Sequence, residues 1–499
     1  MNVRLGEHGL IGLAIVYLAF LSWAMSNLSY DIWGAFVIGP PLAVVGILGI
    51  RRMFSGELAS LANVMCLGLA AKFAGAGLRY FVAFSVYGGN SDSERYHTYA
   101  AEAAAKVWRG DASVVSILPG GTGTRFMERF TSLLYTLVGS SKLASFVLFS
   151  WIAFWGIAYF VKAACVAVPG LRQRRYAFLC MLAPSLVYWP SSIGKEAVMI
   201  LWLGIASYGV AHLMSRRRFL RPFLVMSIGL AGAAVVRPHM AGLWIAGLLP
   251  ALLVALFAGT GQRDRRDRRG GRAAERFVLL SLIVVAAVAL VLVGLATVRY
   301  LHFRGEDTAA TTDKLTLILN ETTRRTTDGG SRYVPPPVHG LTDWPYASLR
   351  TLTRPLLTEA SGSGQLLAAL EMTGFLMICL ICVKRVANLP RLLVSTPYLT
   401  FAMTALFFGG LVFASFGNLG ILARQKSLLL PLMLLIPCVP VRSYKRGPEW
   451  VADADQNNST SPSVRPQFDS GGIPASLTAR QVRTGPPWGN GAKPAVGRG

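Results

Sequence analysis

Apolar and polar positions fall in long alternating blocks along this chain, not at the period of an amphipathic surface helix. Apolar runs lie at roughly 9–26, 32–50, 58–87, 143–168, 177–190, 195–214, 222–236, 240–258, 277–298, 365–383, 397–416 and 427–440. Most approach the roughly 20 residues that a helix needs to cross about 30 Å of hydrocarbon. The predicted fold is all-α, a polytopic transmembrane helical bundle of about twelve spans over residues 1–440. The runs 177–190 and 222–236 are short and are expected to be tilted, broken or re-entrant. Leu10 to Met25 reads as the first span and not as a signal peptide, since no small-residue cleavage site follows and many spans come later. No internal repeat is visible.

Composition agrees with a membrane class. Hydrophobic residues make up 53% of the 499 and charged residues 15%, where soluble domains carry about 25% charged. Mean hydropathy is +0.48. The net charge of +25 raises nucleic acid as a partner, but the position of the charges excludes it. Arg51 and Arg52, Arg172 to Arg175, and the segments 216–221, 263–276, 384–391 and 442–446 are short basic connections between apolar runs. With a cytoplasmic N-terminus they all fall on one side, the positive-inside pattern. The expected place is the cell membrane, multi-pass, with both termini cytoplasmic. Residues 441–499, rich in Pro, Gly, Ser and Arg without apolar periodicity, read as a disordered cytoplasmic tail.

The same alternation collects the chemistry on the opposite, extracytoplasmic side: the loop 88–130, PSSIGKE at 190–196, RPH at 237–239, the long loop 299–364 and NLGILARQKS at 418–427. In the long loop, Leu349 to Leu357 is expected to form a short amphipathic helix with Arg350 and Arg354 one turn apart. The six cysteines lie in or beside apolar runs and imply no disulfide framework; Cys379 and Cys382 have redox-motif spacing, but inside a predicted span.

Four groups carry candidate chemistry. The first is Asp92, Glu94 and His97 in NSDSERYHTYA. Glu94 and His97, three apart, share one face of a helix. A di-iron site would need a second such motif, which is missing. A single divalent ion held by Asp92 with Glu94 or His97 is the metal option; otherwise no cofactor is required. The plain structural reading is helix capping, since Asn90, Ser91, Asp92 and Ser93 are all good N-cap types. The second group is Lys195, followed by Glu196, at the start of a span after Tyr188 and Trp189. Lys195 reads either as an interfacial lysine reaching for water or as an anion ligand at a helix N-terminus. The third is Arg237 and His239 around Pro238. The fourth comprises Arg424 and Lys426, with Arg332, His339 and Arg354 in the long loop: cations on the side that the positive-inside rule depletes. Arginine suits phosphate because its planar fork donates two parallel hydrogen bonds.

At these residues the chain resembles two related groups. NSDSERYHTYA is similar to the first external loop of membrane-embedded C-type glycosyltransferases, which use polyprenyl-phosphate-linked sugars. That resemblance puts Asp92 at the catalytic acid, although the usual pair of acids is adjacent and here Ser93 separates Asp92 from Glu94. PSLVYWPSSIGKEAVM, VVRPHMAG and NLGILARQKSLLLP resemble segments of the polytopic polymerases of exopolysaccharide and O-antigen assembly. The resemblance implies a polyprenyl-linked sugar or oligosaccharide as partner, membrane lipids around the bundle, envelope glycan assembly proteins nearby, and pyrophosphate held by Lys195, Arg237, His239, Arg332, His339, Arg354 and Arg424 without a required metal. Two rivals stand beside it. A secondary transporter or lipid-oligosaccharide flippase would use charges at membrane depth, for which Lys72 and Lys162 are the support. A structural component of an envelope-assembly complex would use none of these residues chemically.

Overall fold

The apolar runs fold as helices, because in hydrocarbon a lone segment satisfies its backbone only by hydrogen-bonding to itself. The computed structural model describes residues 7–111, 120–215, 219–258, 269–300, 322–324, 326–327, 332–336, 338, 340–360 and 363–441, all within the unit Met1–Tyr444. The expected tail from 442 onward, most of the basic run 263–272 and His339 lie outside the described residues.

The helices in order are α1 (Glu7–Asn27), α2 (Tyr30–Met53), α3 (Ala62–Phe81), α4 (Asp92–Trp108), α5 (Thr124–Val138) and α6 (Lys142–Ala167). They continue with α7 (Gln173–Leu182), α8 (Pro184–Tyr188), α9 (Lys195–Ser215), α10 (Leu220–Val236), α11 (Pro238–Ala258) and α12 (Arg269–Tyr300). After the long loop come α13 (Trp344–Thr353), α14 (Ser363–Ile381), α15 (Pro397–Phe413) and α16 (Leu419–Lys426), with shorter turns between. The described residues contain no strand; one isolated bridge joins Arg332 to Asn418.

All the expected apolar runs but 427–440, which is mostly turns around Leu430–Met433, are helical, but the number long and apolar enough to cross a membrane is six, or up to eight if each of two bent pairs is one span, against about twelve expected. The difference lies in the short runs. The apolar part of α1, and α10 and α15, are helices of 10–17 residues, and even 17 residues reach only about 25 Å. The run 177–190 divides at Pro184 into α7 and α8, because proline ends the helix before it. The two bent pairs turn by 78° after Ile381 and by 65° between Lys426 and Leu430.

A second correction concerns the long loop. The expected helix 349–357 is instead α13, which stops at Thr353 and leaves Arg354 as an extended C-cap residue. Pro355 follows, and a residue before proline is pushed out of the helical region. Arg350 is therefore helical and Arg354 is not.

The interior is built on α6 and α9. A methyl group added at Gly156 would meet the Ile200 carbonyl at 2.4 Å, and one at Gly204 the Gly156 carbonyl at 2.2 Å. Only glycine lets the two backbones approach this closely. At the other extreme, the apolar window of α12, Arg276–Thr297, is 11% buried. A face this apolar and open is costly in water and natural against lipid.

At one end, the amide of Arg172 donates to the Cys438 carbonyl at 3.0 Å, Arg385 to the Val439 carbonyl at 2.6 Å and Lys162 to the Met53 carbonyl at 2.9 Å. Arg172 and Arg385, from two of the basic connections, thus both bond the backbone of 438–439. The motif-bearing segments meet elsewhere, as described next.

Candidate functional site: an ion-pair chain joining four motifs

Glu196 is the hub. It is the second residue of α9 and its side chain is 2% exposed. One carboxylate oxygen accepts from Arg237 at 2.8 Å and the other from Arg424 at 2.8 Å. Arg424 extends the chain outward to Asp92 at 3.1 Å, and Arg237 also donates to the Gln425 amide oxygen at 2.8 Å. Lys195, beside Glu196, donates to the Thr124 hydroxyl at 3.0 Å.

Local sequence aims each of these groups. Arg237 precedes Pro238, which imposes extended backbone at Arg237 and starts α11, so the α10–α11 junction turns its guanidinium inward. Arg424 and Gln425 ride on α16, whose N-terminus is capped by Asn418 accepting from the amides of Gly420 at 2.9 Å and Ile421 at 3.1 Å. Asp92 is the first residue of α4, and its neighbour Ser93 docks the helix by donating to the Ile193 carbonyl at 2.9 Å. The N-cap is Ser91, whose side chain makes no capping bond. Asp92 therefore does not cap its helix; it pairs with Arg424.

The turn before α9 is buried from Pro190 to Gly194 and is fixed by two charges. Lys72, fully buried, donates to the Leu186 carbonyl at 3.1 Å, the Pro190 carbonyl at 3.2 Å and Ser191 Oγ at 2.6 Å. At the other end of α8, Glu371 accepts from the Ser185 amide at 3.0 Å and from its hydroxyl. Lys72→Met keeps the bulk and removes the lysine donor from the Leu186 and Pro190 carbonyls, while Ser191 Oγ keeps Ser150 Oγ at 3.1 Å, at about 1–3 kcal/mol for a buried group left unpaired. It is expected to lower the melting temperature of the detergent-solubilised protein by several degrees. An unchanged melting curve would mean that packing alone holds the turn.

Asp92, Lys195, Arg237 and Arg424 are thus brought together. His239, two residues after Arg237, lies in the first turn of α11. Glu94 and His97 do share a helix face, but it turns away from Arg424. Lys142 pairs with Glu94 at 3.1 Å, and His97 Nδ1 shares a 2.8 Å hydrogen bond with the Tyr135 hydroxyl. Burial, then the Lys142 ammonium, holds the His97 imidazole below its ordinary range. Tyr96, on the buried face of α4, has its hydroxyl pushed up to about 12 by burial and by Asp92. Asp92, Glu94 and His97 face different partners, and among the described residues no three His, Cys, Asp or Glu side chains form a metal-holding group.

The long-loop arginines sit behind α16. Arg354 pairs with Glu359 at 2.8 Å and lies 5.1 Å over the Tyr333 ring, while Lys426 donates to the carbonyls of Leu352 and Arg354. Arg332 is exposed and donates to the Thr327 carbonyl at 3.0 Å. Lys72 and Lys162 both serve backbone carbonyls at helix ends. Glu196 is named by the motif only as the neighbour of Lys195, with no role of its own; its signal is that an acid at the start of an apolar span needs a partner. Nothing in the pattern marks Gln425 or Thr124. No protein-family model matches the chain, no curated protein is similar to it in sequence, and no solved structure matches its fold.

Proposed function

We propose that the protein is an integral membrane glycosyltransferase or polysaccharide polymerase of cell-envelope glycan assembly, acting at the extracytoplasmic face with a polyprenyl-(di)phosphate-linked sugar donor. The observation that carries this is the chain Arg237–Glu196–Arg424–Asp92 with Lys195 beside it. Three cations and two carboxylates leave one net positive charge at one place on an apolar bundle, a setting for an anionic head group on a lipid tail.

Exposure divides the two carboxylates. Glu196 is 2% exposed with both oxygens engaged, whereas Asp92 is 56% exposed. Asp92 is therefore the base. The acceptor hydroxyl oxygen bonds to the anomeric carbon of the donor sugar and its proton passes to Asp92. The bond from that carbon to the phosphate oxygen breaks, and its electron pair leaves with the phosphate, whose charge Arg424, Arg237 and Lys195 offset. Glu196 holds the two guanidinium groups in place.

One observation favours a second reading, a structural component of an assembly complex: the near-complete burial of the Arg237–Glu196 pair, which fastens α9 to the α10–α11 junction. The surface glycan of a deletion strain tests the proposal. Shortened chains are expected for a polymerase and one missing sugar for a transferase; an unchanged profile would overturn both enzymatic readings. A glycan restored in full by both the Asp92→Asn and the Glu94→Gln variants would favour the structural reading.

A further inference from the structure

Arg424 makes two ion pairs of unequal depth. The inner one, to Glu196 at 2.8 Å, involves a carboxylate that is 2% exposed. The outer one, to Asp92 at 3.1 Å, involves a carboxylate that is 56% exposed, at the first residue of α4. Breaking a buried pair from one side is costly, whereas a pair open to water is worth little, about 0–1 kcal/mol. An incoming anion therefore competes for Arg424 against Asp92 and not against Glu196. Glu196 is also engaged by Arg237, so Arg424 keeps its inner anchor while its outer nitrogen, Nη1, changes partner.

We infer that Asp92 is a displaceable latch on Arg424, released when a phosphate group of the ligand takes its place. The inference rests on the proposed function and deepens it, because the latch sets an order of events. With no anion present, one oxygen of Asp92, Oδ2, is held against Arg424 at 3.1 Å. When the donor's phosphate bonds to Arg424, Asp92 is released at the site where the acceptor hydroxyl arrives. The donor thereby binds first, and Asp92 is freed from Arg424 only once the donor is in place. A diphosphate fits better than a monophosphate here, because one phosphate can bond Arg424 while the next lies toward Lys195, whose ammonium now rests on the neutral Thr124 hydroxyl.

The test uses inorganic pyrophosphate as the probe, titrated calorimetrically into the full chain purified in a neutral detergent without divalent metal. Asp92→Asn keeps the shape of the side chain and removes the competing charge. It is expected to bind pyrophosphate several-fold more tightly than wild type, about fivefold, the worth of an exposed pair. Glu102→Gln is the control: it removes one acid from the same helix ten residues on, about 15 Å along the axis and beyond a Debye length at physiological salt, so it should leave the affinity unchanged. Equal or weaker binding by Asp92→Asn, or equal tightening by Glu102→Gln, overturns the latch while leaving the anion site standing. Absence of pyrophosphate binding in all three proteins removes the anion site, and with it both the latch and the proposed function.

Discussion

Glu196→Gln is expected to produce the largest loss of stability of any single substitution at this site. Glu196 neutralises Arg237, which is itself 8% exposed, and anchors Arg424. Removing one partner of a buried pair leaves the other as an uncompensated charge, at about 3–5 kcal/mol. The variant should accumulate poorly, and the fraction that inserts should melt well below wild type in detergent. Arg237→Gln should be less harmful, since Glu196 keeps its 2.8 Å pair with Arg424. The double variant Glu196→Gln/Arg237→Gln should be more stable than the sum of the two single losses implies, because it removes the stranded charge as well as the pair. Strict additivity in that cycle would mean that the two groups do not interact and that the bundle is held by packing alone.

The second large effect is expected on turnover. Asp92→Asn should insert and accumulate as wild type does, since Asp92 is exposed and not the N-cap of its helix. Glycan assembly should nevertheless fall by about two orders of magnitude or more, the usual worth of a positioned base. The same variant is expected to hold anion more tightly, so affinity and rate should move in opposite directions. A merely structural Asp92 gives neither change. Glu94→Gln separates the two acids of the opening motif: with Glu94 engaged by Lys142, it should keep most activity. A reversed ranking, with Glu94→Gln inactive and Asp92→Asn active, would place the base on the α6 side of α4 and detach the Arg424 cluster from chemistry.

Much of the architecture was legible without coordinates. Most apolar runs are helices, because an uninterrupted apolar segment has no other way to satisfy its backbone away from water; the run 427–440 is broken into a four-residue helix and turns. The turn at Arg237–Pro238 was legible because proline acts on its immediate neighbours, and so was the shared face of Glu94 and His97, since three-residue spacing fixes it on any helix. The number of helices able to cross a membrane was less legible. It depends on where α7 gives way to α8 and on the bends after Ile381 and Lys426, which neighbouring helices help to set. Arg354 was placed in a helix by periodicity and released from it by the proline that follows.

What the sequence by itself determined is local: which stretches are helices, where prolines stop them, and that the candidate cations and carboxylates fall in five connections, three short and two long. What only the tertiary structure decided is the pairing. Asp92, Glu196, Arg237 and Arg424 are brought together from α4, α9, the α10–α11 junction and α16, while Glu94 and His97, one turn from Asp92, face Lys142 and Tyr135. The physical reason is range. A helix follows from interactions within about four residues of itself. The partner of a charge depends on which distant segment packing sets within about 3 Å, and on how much water that packing leaves between them.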